Sequence, residues 1–143
     1  MIIVIDDREK TPWEFPGVET TTARLDTGDY TVKGFEDRFA IERKSLNDLA
    51  TSVGAERDRF EAEIRRAQSF DNFAVIIEAT PDQVRRREYY SGIHPNAVLG
   101  TCRKWPWKYD KLEFVWSDNP DRAAQEALYY LDKWYLNAAS GLF

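Results

Sequence analysis

Phe39 to Leu49 reads FAIERKSLNDL, an apolar run that ends in an acid, two bases and the start of a polar-capped segment. Along a strand, side chains two positions apart share a face, so Glu42 and Lys44 point together and Arg43 points the other way. Asp6 and Asp7 close an earlier apolar run, IIVID, and Asp29 stands at the start of DYTV. Carboxylates gathered at one end of a sheet suit Mg2+ or Mn2+, which favour oxygen ligands. Such an ion polarises a phosphate and makes bound water a better nucleophile. A neighbouring ammonium orients that water or offsets charge in the transition state. The chemistry these residue types suggest is phosphodiester hydrolysis. Local spacing alone also fits a solvent-facing Glu42–Lys44 pair on a strand edge, and it does not separate Asp6 from Asp7.

The elements that must position these residues are legible in the pattern of apolar positions. IIVID reads as a buried strand, and REKTPWEFPG, with two prolines, as a loop. VETTTARL forms a second strand. DYTV and RFAIE form the arms of a hairpin around KGFED. Ser45, followed three residues later by Asp48, marks the N-cap of a helix through LNDLATS. Phe60, Ile64 and Ala67 fall at helical spacing in a longer, highly charged segment. FAVIIEA is the next buried strand, and Thr80, Pro81 and Gln83 open a helix over PDQVRRREYY. A helix over GIHPNAVLGTCRKW, a strand KLEFVWS and a terminal helix with Ala124, Leu128, Leu131 and Tyr135 on one stripe complete the order. The expected class is α/β, a central mixed β-sheet flanked by helices.

Length and composition narrow the function further. A chain of 143 residues with 43% hydrophobic residues builds its own core and is expected to be one domain over residues 1–143. The single Cys102 excludes an intrachain disulfide framework or a cysteine-cluster metal site and reads as a packing residue. His94, the only histidine, reads as a helix-capping or packing residue. No apolar segment approaches a membrane span, and no secretory signal opens the chain, so a soluble intracellular protein is expected. Net charge is −5, yet the segment from Gln83 to Lys111 carries seven basic against two acidic residues. An acidic chain can therefore present a basic face.

GDY at Gly28–Tyr30 followed by ERKSLND at Glu42–Asp48 resembles the Gly-Asp…Glu-Arg-Lys…Asp signature of the ERCC4-type structure-specific nuclease domain, the XPF family. IDDRE at Ile5–Glu9 is similar to that family's opening strand and Asp-x-Arg-Glu segment. FAVIIE and GIHPNAVLG match its later strand and helix start, so the resemblance runs over nearly the whole chain. It implies a restriction-endonuclease-like core and a Mg2+- or Mn2+-dependent endodeoxyribonuclease. It places metal-binding acids on Asp6, Asp29 and Glu42 and the catalytic lysine on Lys44. Arg8 and Arg43 match arginines that support the site or meet DNA, Asp48 matches an acid on the following helix, and Asp7 falls at a variable position. The chain departs from the pattern at ATSVGAERDRF, where Gly54 and Arg57 are not adjacent, and it carries no helix-hairpin-helix module after the nuclease segment.

The expected partner is DNA, branched or nicked, gripped through phosphates by Arg85, Arg86, Arg87, Lys104 and Lys108. Trp105 and Trp107, interleaved with those lysines, are expected to stack on an exposed base, and Trp13 to border the groove. Packing of the two tryptophans around Pro106 is the competing expectation. With no base-reading motif in the chain, recognition by shape is expected. The aromatic tail ALYYLDKWYLNAASGLF suggests a homodimer through the C-terminal helices. A noncatalytic DNA-binding or partner-organising subunit on the same fold is the alternative. A cytoplasmic or nucleoid-associated protein, of cellular, phage or mobile-element origin, fits this reading.

Overall fold

The structure, a computed structural model, describes residues 1–141. Strands β1 (Ile3–Asp6), β2 (Thr20–Ala23), β3 (Tyr30–Val32), β4 (Phe39–Lys44), β5 (Asn72–Ile77) and β6 (Leu112–Trp116) form one mixed sheet in the order β2-β1-β3-β4-β5-β6. β3 pairs antiparallel with both β1 and β4, whereas β1–β2, β4–β5 and β5–β6 are parallel. The helices are α1 (Leu46–Val53), α2 (Arg57–Arg66), α3 (Pro81–Arg85), α4 (Pro95–Lys108) and α5 (Pro120–Ala139). A parallel strand pair needs a crossover. Here α1 and α2 carry the chain from β4 to β5, and α3 and α4 carry it from β5 to β6.

Two apolar layers result. Ala40, Phe73, Val75 and Ile77 pack with α1, α2 and α4, while Phe39, Ile41, Ala74 and Ile76 pack with α5. β5 is covered on both faces, which is why Phe73–Ile77 is an unbroken apolar run. On β4 the same alternation continues past the apolar residues. Glu42 and Lys44 follow Ala40 toward α2, and Arg43 follows Ile41 toward the opposite layer. The edge strand β2, with all four residues exposed, is built from three threonines and an alanine.

Three helices differ in detail from the sequence expectation. In α5 the buried positions are Ala123, Ala127, Leu131 and Trp134, with Ala124, Leu128 and Tyr135 flanking them half-buried. The bulk of Trp134 takes the sheet-facing position, its ring 5.6 Å from that of Phe39, and turns the helix by about one residue. α3 stops at Arg85, and Arg87 leaves the helical region with φ of 56°. α4 continues through Pro106 to Lys108, because the missing N–H falls in its last turn and Tyr109 N–H still bonds to the Trp105 carbonyl at 2.8 Å. His94 caps this helix, its Nδ1 accepting from Asn96 N–H at 3.0 Å. Cys102 is buried, and burial pushes its thiol up to about 12. Among the described residues no helix is long and apolar enough to cross a membrane. Residues 142 and 143, the end of the aromatic tail, lie outside the described residues.

Gly28 is the backbone position on which the hairpin depends. Its φ is +81°, and a Cβ there would lie 2.7 Å from the Ala40 Cβ and 3.2 Å from the Ile41 carbonyl oxygen. Both neighbours belong to the strand that carries Glu42. Gly28→Ala is therefore expected to cost on the order of 2–4 kcal/mol from the left-handed backbone and the overlap together. Urea unfolding measures this, and an unchanged midpoint would show that the close approach is not required.

Candidate active site

Three chain segments converge at one end of the sheet. Asp6 N–H donates to the Asp29 carbonyl at 2.8 Å, and Asp29 N–H donates to the Ile41 carbonyl at 2.7 Å. These bonds bring the ends of β1, β3 and β4 together, so acids far apart in sequence share one recess. It has a volume of about 340 Å3, and its lining includes Asp6, Asp29, Glu42 and Lys44 from the sheet and Phe60 and Glu63 from α2. Lys44 Nζ lies 3.4 Å from a Glu42 carboxylate oxygen and 5.0 Å from the centre of the Phe60 ring. The ring and the carboxylate hold the ammonium over the recess.

The acids differ in their surroundings. Asp6, 2% exposed, accepts four hydrogen bonds. Oδ1 takes Arg8 Nη2 at 3.0 Å and Leu25 N–H at 2.9 Å, and Oδ2 takes Arg8 Nε at 2.8 Å and Arg8 N–H at 3.1 Å. Burial pushes this carboxyl up, but the bonds from the Arg8 side chain and the two N–H groups outweigh it, and it sits below its ordinary value. Arg8 also donates to the Leu25 carbonyl at 2.7 Å, so the pair staples the end of β1 to the segment after β2.

Asp29 and Glu42 show the opposite behaviour. Their carboxyls lie close enough for each to shift the other's protonation. Burial raises Asp29 to about 6, with Glu9 and Glu63 adding to the rise, against the Arg43 N–H that donates to its Oδ2 at 2.8 Å. Burial also raises Glu42 well above its ordinary value, reinforced by Asp29 and Glu63 and only partly offset by Lys44. Two neighbouring carboxyls, Glu42 buried and Asp29 half-buried, cannot both ionise cheaply. A proton or a cation must sit with them. Among the described residues no three acids stand close enough together to enclose an ion. Asp29 and Glu42 nevertheless offer two adjacent oxygen donors of the type Mg2+ and Mn2+ take, and their repulsion is what a divalent cation relieves.

Arg43 and Asp48 lie in a second recess, which Glu9 also lines. Arg43 donates to Glu78 and Glu9, each at 3.2 Å, and to the Thr11 carbonyl at 2.7 Å, and its guanidinium lies 4.9 Å from the centre of the Trp13 ring. Trp13 stacks on Tyr30 and donates through Nε1 to Glu78 at 2.9 Å. Trp13 is 5% exposed and so serves as a platform under Arg43 in the core. The helix begun by Ser45, whose hydroxyl accepts from Asp48 N–H at 3.1 Å, delivers Asp48 to the Arg43 side and not to the recess of Glu42.

Of the residues expected to touch DNA, Arg85, Arg86, Arg87, Lys104, Trp107 and Lys108 are exposed, Trp107 at 84%. Arg86 is paired with Asp82 and Glu88, and Lys108 with Glu61. Trp105 is a correction: it is 5% exposed, packed against Phe60 and Tyr109, with the Arg57 guanidinium 4.7 Å from its ring centre. Helical spacing turns it toward the core layer, one residue away from the proline, while Trp107 turns to solvent. Base stacking is open to Trp107 alone of the two.

A family model for the ERCC4 domain matches residues 5–127. The chain belongs to the ERCC4 domain family. Among solved structures it is similar to XPF from Aeropyrum pernix, with 23% identity and a TM-score of 0.74 over 93% of this chain and 61% of that one. It is also similar to XPF from Aeropyrum pernix in complex with DNA, with 20% identity and a TM-score of 0.71 over 96% of this chain and 66% of that one. These structures share the mixed sheet flanked by helices. The chain spans less than two thirds of the length of either. No curated protein matched.

Three acids of this ERCC4 domain escaped the sequence reading. Glu9 accepts from Tyr30 Oη at 2.7 Å and from Arg43, Glu78 holds Arg43 and Trp13, and Glu63 faces Asp29 and Glu42. Glu78 follows β5 directly, and the parallel register Lys44↔Ile77 sets it beside the end of β4, a position the strand order alone would have supplied. Glu63 lies one helical turn from Phe60, but only the packing of α2 against the sheet shows which way that turn faces.

The raised carboxyl has a consequence for stability without metal. A folded pKa above the unfolded one means that the native state holds the extra proton. The contribution is then full below about pH 4 and is lost as pH rises through the folded value. For Asp29, moving from 3.8 to about 6, the loss is on the order of 3 kcal/mol. Unfolding free energies measured in a chelator between pH 4 and 7 are expected to fall by about that much more in the native protein than in Asp29→Asn. Parallel curves would show that Asp29 is not shifted.

Proposed function

We propose that this ERCC4 domain is a divalent-metal-dependent endonuclease that hydrolyses phosphodiester bonds in branched, flap or nicked DNA. The observation that carries this reading is the pair of half-buried Asp29 and buried Glu42 with the Lys44 ammonium beside it, at a sheet end opened by a recess. Asp29 and Glu42 would hold Mg2+ or Mn2+, which when bound polarises the scissile phosphate and activates water. Lys44, beside Glu42 and over the Phe60 ring, stabilises negative charge on the phosphoryl oxygens as the bond breaks. Arg43 is tied to Glu78, Glu9 and the Trp13 ring, so its part is to hold the end of β4 in place while its N–H orients Asp29. Asp6 and Arg8 brace the end of β1 in the same way.

DNA as the substrate is supported by the likeness to an XPF that is in complex with DNA. It is also supported by the exposed Arg85, Arg87, Lys104 and Trp107. Phosphate contacts position a duplex without reading sequence, and Trp107 suits an unpaired base at a break or fork. The exposed Tyr129 and Leu136 of α5 offer a surface for a second copy. Light scattering is expected to show a dimer that Leu136→Asp converts to monomer.

Glu42→Gln and Lys44→Ala are each expected to lower cleavage of flap or fork DNA by roughly a hundredfold or more, as does chelation of the metal. Folding and DNA binding are retained in both variants. Wild-type rates in Glu42→Gln would remove the proposed site. A panel of duplex, flap, fork and four-way substrates with Mg2+, Mn2+ or Ca2+ tests the noncatalytic alternative, which predicts binding without cleavage under every ion.

A further inference from the structure

Of the large apolar side chains exposed among the described residues, Tyr90 is the most open, at 96%. It stands in the irregular segment between α3 and α4, next to the buried Tyr89. That segment is held by bonds of its own. Arg87 N–H donates to the Val84 carbonyl at 3.0 Å and Glu88 N–H to the Gln83 carbonyl at 3.1 Å, around the left-handed turn at Arg87. Tyr89 Oη donates to the Ile93 carbonyl at 2.8 Å, and Ile93 N–H to Ser91 Oγ at 3.2 Å. Tyr90 N–H itself donates to Asn47 Oδ1, in the first turn of α1, at 2.9 Å. The backbone under the ring is fixed, while the ring adds almost nothing to the core.

Strand direction puts this ring at the end of the sheet where the reacting groups lie. β5 runs parallel to β4 in the register Lys44↔Ile77, so the chain that follows β5 emerges at the Lys44 end. Asn47, which pins Tyr90, belongs to the helix that starts directly after Lys44 and Ser45. α4 then runs back toward the start of β6 and carries Trp107 toward the opposite ends of the strands. Arg85 and Arg87 precede the ring, exposed and with no ion-pair partner among the described residues. A fixed, uncharged ring with free guanidinium groups beside it suits a nucleobase: the ring face stacks on the base, and the cations meet its phosphates. Inside a continuous duplex both faces of every base are covered by neighbours. Resting on the reading above that the substrate is DNA, we infer that Tyr90 distinguishes interrupted from continuous DNA by stacking on an unpaired base beside the branch, with Arg85 and Arg87 on the neighbouring phosphates. It is a specificity residue and takes no part in breaking the bond.

Fluorescence anisotropy in a chelator, where cleavage is off, tests this with two probes: a blunt duplex, and the same duplex carrying an unpaired oligothymidine arm. Tyr90→Ala is expected to weaken binding of the arm-bearing DNA about tenfold and of the blunt duplex by less than about twofold, while Tyr90→Phe matches the native protein on both. The urea midpoint of Tyr90→Ala stays native, because the ring is exposed. An abasic residue moved along the first unpaired positions is expected, at one of them, to cost the native protein the same factor and to cost Tyr90→Ala nothing further. Trp107→Ala keeps that dependence, and Arg85→Ala weakens both probes alike, because phosphates carry no information about the branch. A native preference for the arm in Tyr90→Ala, or a full abasic penalty in that variant, would overturn the inference. Cleavage of the arm-bearing DNA by the native protein with Mn2+ would then leave the endonuclease reading standing. A native protein that binds neither probe would overturn both.

Discussion

Two carboxyl groups, half-buried Asp29 and buried Glu42, are pressed together by backbone hydrogen bonds that neither side chain can relax. The Asp29 N–H bonds to the Ile41 carbonyl, and the Asp29 carboxylate accepts from Arg43 N–H, so the acid is gripped on both sides of Glu42 in the neighbouring strand. Gly28 permits the approach, since any Cβ would run into Ala40. The unfavourable proximity is therefore written into strand pairing, and the core of the domain pays for it. Shared protons relieve the strain in the metal-free state, and a divalent ion would relieve it more completely.

The rest of the site follows from the two faces of β4. On the α2 side, Glu42 and Lys44 share a recess with partly exposed, adjustable groups. On the α5 side, Arg43 is locked between Glu78, Glu9 and the Trp13 ring, and Trp13 is stacked on Tyr30. One face holds movable charge and the other holds fixed charge. A strand end anchored on its back can present reacting groups on its front with little loss of position, which is what transition-state stabilisation by preorganised charge requires. The Asp6–Arg8 pair does the equivalent for β1.

Much of this was legible in the chain itself. The apolar runs located all six strands, and the alternation through FAIERK correctly set Glu42 and Lys44 on one face and Arg43 on the other. Local chemistry was also readable: Ser45, Thr80 and His94 each cap the helix they precede. Relationships between elements were harder to read. That Asp48 faces Arg43 and not Glu42 depends on how α1 leaves the sheet edge. That Trp105 is core and Trp107 surface depends on a helix persisting through Pro106. Glu63 was hidden because a charged helix shows which stripe is apolar but not which of its acids overlooks a neighbouring strand end. The Asp6–Arg8 clamp depends on the Leu25 N–H, which comes from a segment 19 residues away.

The central claim is that Asp29 and Glu42 together are the seat of a divalent cation. Anomalous diffraction from crystals soaked in Mn2+ tests it most directly, because it locates the ion without reference to activity. The account predicts a peak within about 2.5 Å of oxygens from both Asp29 and Glu42. A peak coordinated by other carboxylates with this pair still protonated, or no peak at millimolar Mn2+, would contradict it.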